Sequence, residues 1–360
     1  MQRLLKWFVF LAVLFGGLGY GAWRGWQWWE WASAPPLVTP MSETEDPPAM
    51  QIEIPQGTPA QIIGLKLEDA GVIRSALAWK IWARWLQFQN QTGGFQAGVY
   101  RLSPAQPLEA IADRIWDGDV VKYRFTIPEG RSIQEMAAYF EELGFFSAEE
   151  FVEATRNVPY AQFPWLPNEL PHLEGFLYPD TYQLPDGRLT PEAVIAQMLS
   201  RFEEVALPVY RQNPNPLELT LLQWVTLASI VEKESVVEPE RTVIAGVFTN
   251  RLEKGMRLEA DPTVEYGLGI RQTVDKPLTF AQVETPSPYN TYLNPGLPPT
   301  PIAAPGVASL EATLAPEDTE YLYFMARYDG THIFSRTLEE HEAAIATVER
   351  DLADRESPSE

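Results

Sequence analysis

The stretch Leu227-Ala228-Ser229-Ile230-Val231-Glu232-Lys233-Glu234-Ser235 sets two carboxylates and an ammonium at the end of an otherwise apolar helix. A segment as apolar as Leu217 to Val231 belongs in a core, where a charge is costly unless it is paired or used. A carboxylic acid held there keeps its proton near neutral pH, as a general acid must. The segment is therefore either an active site or a buried ion-pair cluster. At about 100° per residue, Glu232 and Glu234 stand about 200° apart and share no face. Glu232 lines up with Leu221, Val225 and Ala228, and Glu234 with Leu227 and Ile230. Lys233 projects between them, toward the least apolar side. Periodicity predicts two partly buried carboxylates and ranks neither. The structural alternative pairs one or both with Arg241, Arg251 or another cation.

Bulk properties narrow the field around this segment. A chain of 360 residues has room for two or three domains, and 45% hydrophobic with 21% charged residues describes a folded protein. A formal net charge of −22 argues against nucleic acid and against broad docking on an anionic surface. With no cysteine there is no disulfide framework, thiol nucleophile or thiolate metal site. His172, His332 and His341 are scattered and form no paired metal spacing, so neither a metal nor a cofactor is expected.

Toward the amino terminus, Trp7 to Trp23 is an uncharged run of 17 residues, just enough to cross a hydrocarbon layer with snorkelling flanks. Arg3 and Lys6 precede it and predict a cytoplasmic amino terminus; Trp23, Trp26, Trp28, Trp29 and Trp31 predict an interfacial belt on the far side. The alternative is a signal peptide cut at Ala32-Ser33-Ala34. Both export the remainder. Ala34 to Pro48, with five prolines and three acidic residues, reads as an extended linker.

A repeat follows. Ile52-Glu53-Ile54-Pro55-Gln56-Gly57 returns 73 residues later as Phe125-Thr126-Ile127-Pro128-Glu129-Gly130. Each copy leads into an amphipathic helix that ends on glycine, at Gly71 and at Gly144, so the predicted unit is strand, Pro-x-Gly turn, helix. With a further strand at Gly98 to Leu102 and a short helix at Pro107 to Trp116, this resembles LysM domains, which bind N-acetylglucosamine polymers. The bland alternative is a scaffold. In the second half, helices are predicted over 190–205, 216–236, 239–254, 279–284 and 338–355, and strands over 321–327 and 332–334. Long Pro- and Tyr-rich loops are expected between Asp261 and Pro305, and such loops often carry function.

Several segments stand in a telling order: Glu174-Gly175-Phe176-Leu177-Tyr178-Pro179-Asp180-Thr181-Tyr182, then 227–235, then Val247 to Leu252, then Gly255 to Gly267, then Ser287-Pro288-Tyr289-Asn290-Thr291-Tyr292, then Gly296-Leu297-Pro298-Pro299. Together they closely resemble the endolytic murein transglycosylases of the MltG type, over essentially the whole chain. Thr300 departs from a common Gly-Leu-Pro-Pro-Gly run. The resemblance implies an endolytic lytic transglycosylase that needs no cofactor. It would cleave the MurNAc-β-1,4-GlcNAc bond without water, leave 1,6-anhydro ends and terminate nascent strands, with Glu234 as the single catalytic acid and base and Ser235 beside it. It also implies peptidoglycan strands as substrate, peptidoglycan synthases as partners, and a single-pass inner-membrane protein with its catalytic part outside.

The expected fold is α+β: a transmembrane helix and cytoplasmic tip at 1–31, a linker at 32–49, a LysM-like module at 50–160, a mixed α+β catalytic domain at 161–350 and a polar tail at 351–360. Tyr289, Asn290 and Thr291 offer hydroxyl and amide groups for sugar recognition, and Asp261 and Thr263 sit in the neighbouring polar loop. Tyr178, Tyr182 and Tyr292 are expected in the core rather than as sugar platforms, and Asp180 as a turn former. Rival functions are a wall-binding protein without activity, a glycosidase pairing Glu234 with Glu174 or Asp261, and a pyridoxal-phosphate lyase using Lys233.

Overall fold

The computed structural model describes residues 2–37, 49–89, 93–185, 189–212, 217–273, 276–327 and 329–356, and its mixture of helices with two-stranded sheets is α+β. The chain forms two compact units, Met1–Tyr123 with Gln183–Leu189, and Arg124–Tyr182 with Thr190–Glu360. Most of the expected linker (38–48) and the end of the polar tail (357–360) lie outside the described residues.

The first unit opens with α1 (Gln2–Ser33). It contains the whole uncharged run, yet among the described residues no helix is long and apolar enough to cross a membrane. Its last turns pack inward: Ala32 is fully buried, and Trp28 and Trp29 rest on the unit's core. A cut at 32–34 would remove these three residues from the core. The chain beyond it stays close, with the Leu37 amide donating to the Pro104 carbonyl at 3.0 Å.

Strand β1 (Met50–Ile54) pairs antiparallel with β2 (Gly98–Leu102), Met50 opposite Leu102 and Ile54 opposite Gly98. Alternation at period two turns Ile52, Ile54, Tyr100 and Leu102 inward. Against them pack α2 (Ala60–Asp69), α3 (Ala76–Gln89) and α4 (Leu108–Asp117) through Ile63, Leu67, Trp79, Ile111 and Ile115. Gly64 is where α2 and α3 touch: a Cβ there would clash with the Trp79 ring.

The second repeat copy belongs to the second unit. β3 (Lys122–Thr126) runs into the Pro128-Glu129-Gly130 turn and α5 (Ile133–Glu142). The two copies match in backbone as well as sequence. Gly57 and Gly130 have φ of 78° and 75°, and the helix-ending Gly71 and Gly144 both have 70°, a left-handed region that only glycine enters freely. The division at Tyr123/Arg124 separates copies that the sequence reading grouped in one 50–160 module.

Along the rest of the chain come α6 (Ala148–Arg156), β4 (Thr181–Pro185), whose residues divide between the units after Tyr182, and then, in the second unit, α7 (Pro191–Gln212), α8 (Leu221–Glu234), α9 (Arg241–Glu253), α10 (Asp261–Leu268), α11 (Phe280–Val283), α12 (Val307–Leu314), β5 (Tyr323–Ala326), β6 (His332–Ser335) and α13 (Leu338–Glu356). Helix α8 is the axis of that unit, and its end carries the two glutamates. A Thr220/Gln223 capping box starts it, and every residue from Trp224 to Val231 is buried. Helices α9, α10 and α12 pack around it, which is why its sequence is apolar on all sides. Each of its large side chains contributes about 1.5–3 kcal/mol by leaving water. α10 and α12 were not foreseen: Asp261 to Leu268 was taken as loop, because Pro262 looks like loop punctuation. Proline is tolerated in a first helical turn, where its missing N–H is not needed.

Candidate active site

Burial along α8 ends at Val231, and the last turn brings Glu232, Lys233 and Glu234 out half-buried on different flanks. The flanks differ completely. Glu232 accepts hydrogen bonds from the Gly306 amide (3.1 Å) and the Ser309 hydroxyl (2.7 Å), at the amino terminus of α12. A carboxylate there answers the helix's unpaired N–H groups and its positive dipole end. Glu232 is a helix clasp. It pairs with neither Arg241 nor Arg251.

Glu234 faces α10. Among the described residues no hydrogen bond fixes its carboxyl. Burial, with Asp261 and then Glu265 beside it, pushes that carboxyl up to about 8. Asp261 and Glu265 stand one helical turn apart on α10 and so share a face. Asp261 accepts from the Tyr292 hydroxyl (2.6 Å) and the Gln272 amide side chain (3.3 Å), while Glu265 accepts from the Gln272 backbone N–H (3.2 Å). Glu265 is itself raised, first by burial. Burial and Asp261 also raise the Tyr292 hydroxyl, which therefore stays a donor. This is a pocket of carboxyls that cannot all be ionised, and Glu234 is the member free to carry and release a proton.

Two further groups stay available. The Ser235 hydroxyl, at the carboxyl end of α8, is buried with no hydrogen-bond partner among the described residues. A cleft of about 560 Å³ is lined by Lys233, Glu265, Tyr266, Arg271 and Tyr289. It is large enough for a sugar chain segment. Tyr289 lines this cleft. Its ring meets Tyr266 edge-on at 4.8 Å and its hydroxyl shares a hydrogen bond with Thr300 (2.8 Å), the residue that departs from the common motif.

Asn290, Thr291 and Thr263, expected to meet sugar, are fully interior. The Asn290 amide donates to the Val283 and Thr285 carbonyls (2.7 and 2.9 Å), and its oxygen accepts from the Tyr292 N–H. The Thr263 and Thr291 hydroxyls bond each other at 2.9 Å, Thr291 also accepting from the Ala260 N–H and Thr263 donating to the Ala260 carbonyl. Their polar atoms are committed inside the protein, and what they do is fasten the 283–292 loop to the start of α10. Asp261 reaches the site because of that fastening.

The other carboxylates fall into structural roles. Glu174 is buried, accepts from the Ile133 N–H at the start of α5 and from the Tyr266 hydroxyl (3.0 Å), and is pushed up to about 8, chiefly by burial. It is not among the charges that raise Glu234. Asp180 accepts from the Thr181 N–H and pairs with Arg201 at 2.7 Å, the turn role expected of it. Tyr178 and Tyr182 are core residues. Lys233 donates to the Gly130 carbonyl (3.4 Å) and lowers Glu265, so its ammonium works as a charge in the cleft.

One residue the sequence reading left in the background organises the rest. Arg251 is buried, donates to the Leu322 (2.6 Å), Arg257 (2.9 Å) and Leu258 (3.1 Å) carbonyls, and pairs with Glu259 at 3.0 Å. Glu259 has φ 53°, a left-handed conformation that a non-glycine residue holds only under constraint. The guanidinium supplies that constraint and aims the chain into α10. Glu265 and Gln272 were also missed. The signal for Glu265 was the four-residue spacing from Asp261, readable only once 261–268 is a helix.

The chain is similar to known proteins over most of its length. The chain is 32% identical over 315 residues to the endolytic murein transglycosylase of Bacillus subtilis, covering 84% of this chain and 85% of that protein. To the endolytic murein transglycosylase of Streptococcus pneumoniae it is 29% identical over 95% of this chain, which spans 64% of that longer relative. The crystal structure of a YceG-like protein of Listeria monocytogenes superposes with a TM-score of 0.56 at 34% identity, covering 83% of this chain and 99% of that one. Residues 52–347 match the YceG-like family, from the first repeat copy to the last helix. With the match spanning the strand–turn–helix copies, α8 and the α10 acids alike, the chain belongs to the YceG-like family.

Proposed function

We propose that the chain is an endolytic peptidoglycan lytic transglycosylase in which Glu234 is the catalytic residue. The observation that carries this is a half-buried carboxyl, pushed up to about 8 by burial and two acidic neighbours, one of which, Glu265, lines a cleft of sugar-chain size. Protonated, Glu234 gives its proton to the glycosidic oxygen as the bond from the muramyl C1 breaks. The muramyl C6 hydroxyl then attacks C1, and the Glu234 carboxylate takes the hydroxyl proton as the 1,6-anhydro ring closes. One group serves as acid and then base, so no catalytic water or second carboxylate takes part. In this reading Tyr289, which lines the cleft, and Ser235 hold sugar hydroxyl or acetamido groups, and Lys233 balances the negative charge of the cleft.

The same reading puts the enzyme at a membrane through α1, with the catalytic unit outside the cytoplasm, near newly made strands whose growth its cut would terminate. The first unit would serve as a LysM-like glycan contact, and peptidoglycan synthases are natural neighbours. Asp261 and Glu265 beside Glu234 favour one competitor, a hydrolase that uses a second carboxylate with water. Mass analysis of digests of purified sacculi separates the readings. Anhydro-ended fragments from the intact chain and none from Glu234→Gln are expected. Reducing ends would identify the hydrolase, and binding without soluble fragments a wall-binding protein.

A further inference from the structure

Helix α3 is apolar on the wrong side. Trp79, Ala83 and Leu86 face the core of the first unit, as they should. On the opposite flank Leu77, Ile81, Trp85 and Phe88 are exposed, from 42% at Trp85 to 84% at Phe88. At about 100° per residue these four fall within an arc of about 80°, forming one stripe along the helix. A helix apolar on both flanks is at home in a core or in lipid.

Two further observations say what covers it. The first is charge. The chain carries 49 acidic against 27 basic residues, yet α3 has Lys80 and Arg84 and no acid in its 14 residues. Both are exposed beside the stripe, and among the described residues no carboxylate pairs with either. A basic, Trp-containing amphipathic helix fits an anionic headgroup layer. It fits a second copy of itself poorly, because face-to-face stripes would bring like charges together. The second is continuity. Trp82 packs on Trp85 at 4.4 Å and on Trp29 of α1 at 6.1 Å. Trp26 and Trp31 of α1 are exposed. The aromatic surface at the end of α1 thus runs without a break onto α3.

We propose that the exposed face of α3 lies in the interface of a membrane containing anionic lipid, its apolar stripe at the level of the upper acyl chains and Lys80 and Arg84 on lipid phosphates. This rests on the reading of α1 as the membrane attachment for how the chain reaches the bilayer. The first unit then lies on the membrane surface instead of standing off it, and the acidic remainder of the protein, repelled by the same headgroups, stays in water.

The absence of cysteine makes the test clean. Full-length Leu77→Cys and Phe88→Cys are spin-labelled in bilayer nanodiscs containing phosphatidylglycerol. Accessibility to oxygen is compared with accessibility to a water-soluble nickel complex, with Leu14→Cys in α1 and Glu342→Cys in α13 as references. Labels at 77 and 88 are expected to show several-fold higher oxygen than nickel accessibility, and the label at 342 the reverse. Adding Lys80→Glu with Arg84→Glu, or omitting the anionic lipid, should return 77 and 88 to water. Aqueous labels at 77 and 88 with a lipid-exposed label at 14 would overturn the proposal and leave the α1 attachment standing. An aqueous label at 14 would remove the attachment, while 77 and 88 still decide the α3 face. Dipolar broadening between labels at 88 would show a second copy on the stripe and also overturn it.

Discussion

The two flanks of the last turn of α8 carry the same side chain two residues apart, and the surroundings make them different chemical objects. Glu232 meets hydrogen-bond donors and the positive end of α12, so its charge is answered within the fold. Glu234 meets two more acids and, among the described residues, no donor, so its charge is opposed. A carboxylate that is satisfied stabilises; one that is frustrated is reactive. Both groups stand at the same helix end, and the partners each meets there set them apart.

The strongest way to break this contrast is to remove each carboxylate in turn. Glu234→Gln should lower turnover on sacculi by about 10³-fold or more, with an unchanged circular dichroism spectrum. Glu232→Gln should keep activity within about tenfold while destabilising the second unit by about 1–3 kcal/mol, through a weakened charged hydrogen-bond pair. Comparable activity losses in the two variants would erase the distinction between them.

A smaller effect tests the electrostatics. Asp261 raises Glu234, so Asp261→Asn should bring the Glu234 proton off at lower pH. The alkaline fall of kcat/KM, expected near pH 8 in the intact protein, should move down by up to about one pH unit. An unmoved limb would mean that burial alone sets the proton affinity.

The smallest effect is on stability. The folded carboxyls of Glu234 and Glu174 stay protonated up to about pH 8, whereas in the unfolded chain they ionise in the ordinary carboxyl range. Between those limits the native state binds more protons, so these groups make stability fall as pH rises toward 8. Glu234→Gln should flatten that slope and raise the melting temperature at pH 8 more than at pH 5. A residual slope from Glu174 should remain. Thermal scans at the two pH values measure it.

Much of this was legible in the chain. The apolar run 221–231 and its charged end mark a buried helix ending at a site, and the repeated Pro-x-Gly turn fixes two left-handed glycines before any coordinates. What periodicity could not supply was the ranking of Glu232 and Glu234, because it depends on Gly306 and Asp261, groups brought from remote parts of the sequence. Thr263, Asn290 and Thr291 looked like sugar ligands by residue type. A hydroxyl or amide in a loop serves equally well to satisfy backbone carbonyls, and here it does so. Of the two α10 acids, Glu265 was hidden by a proline that a first helical turn accepts.

Arg251 gives the acidic helix an unexpected mechanical dependence. Through one guanidinium the turn that launches Asp261 is bolted to the Leu322 carbonyl, 71 residues away in the chain and next to β5. A lysine would keep the charge but lacks the planar fork that spreads donors over three carbonyls at once. The carboxyl-terminal hairpin therefore works as the abutment of the proton-donating pocket. Loosening it would slacken the reaction centre without altering any group that touches the sugar.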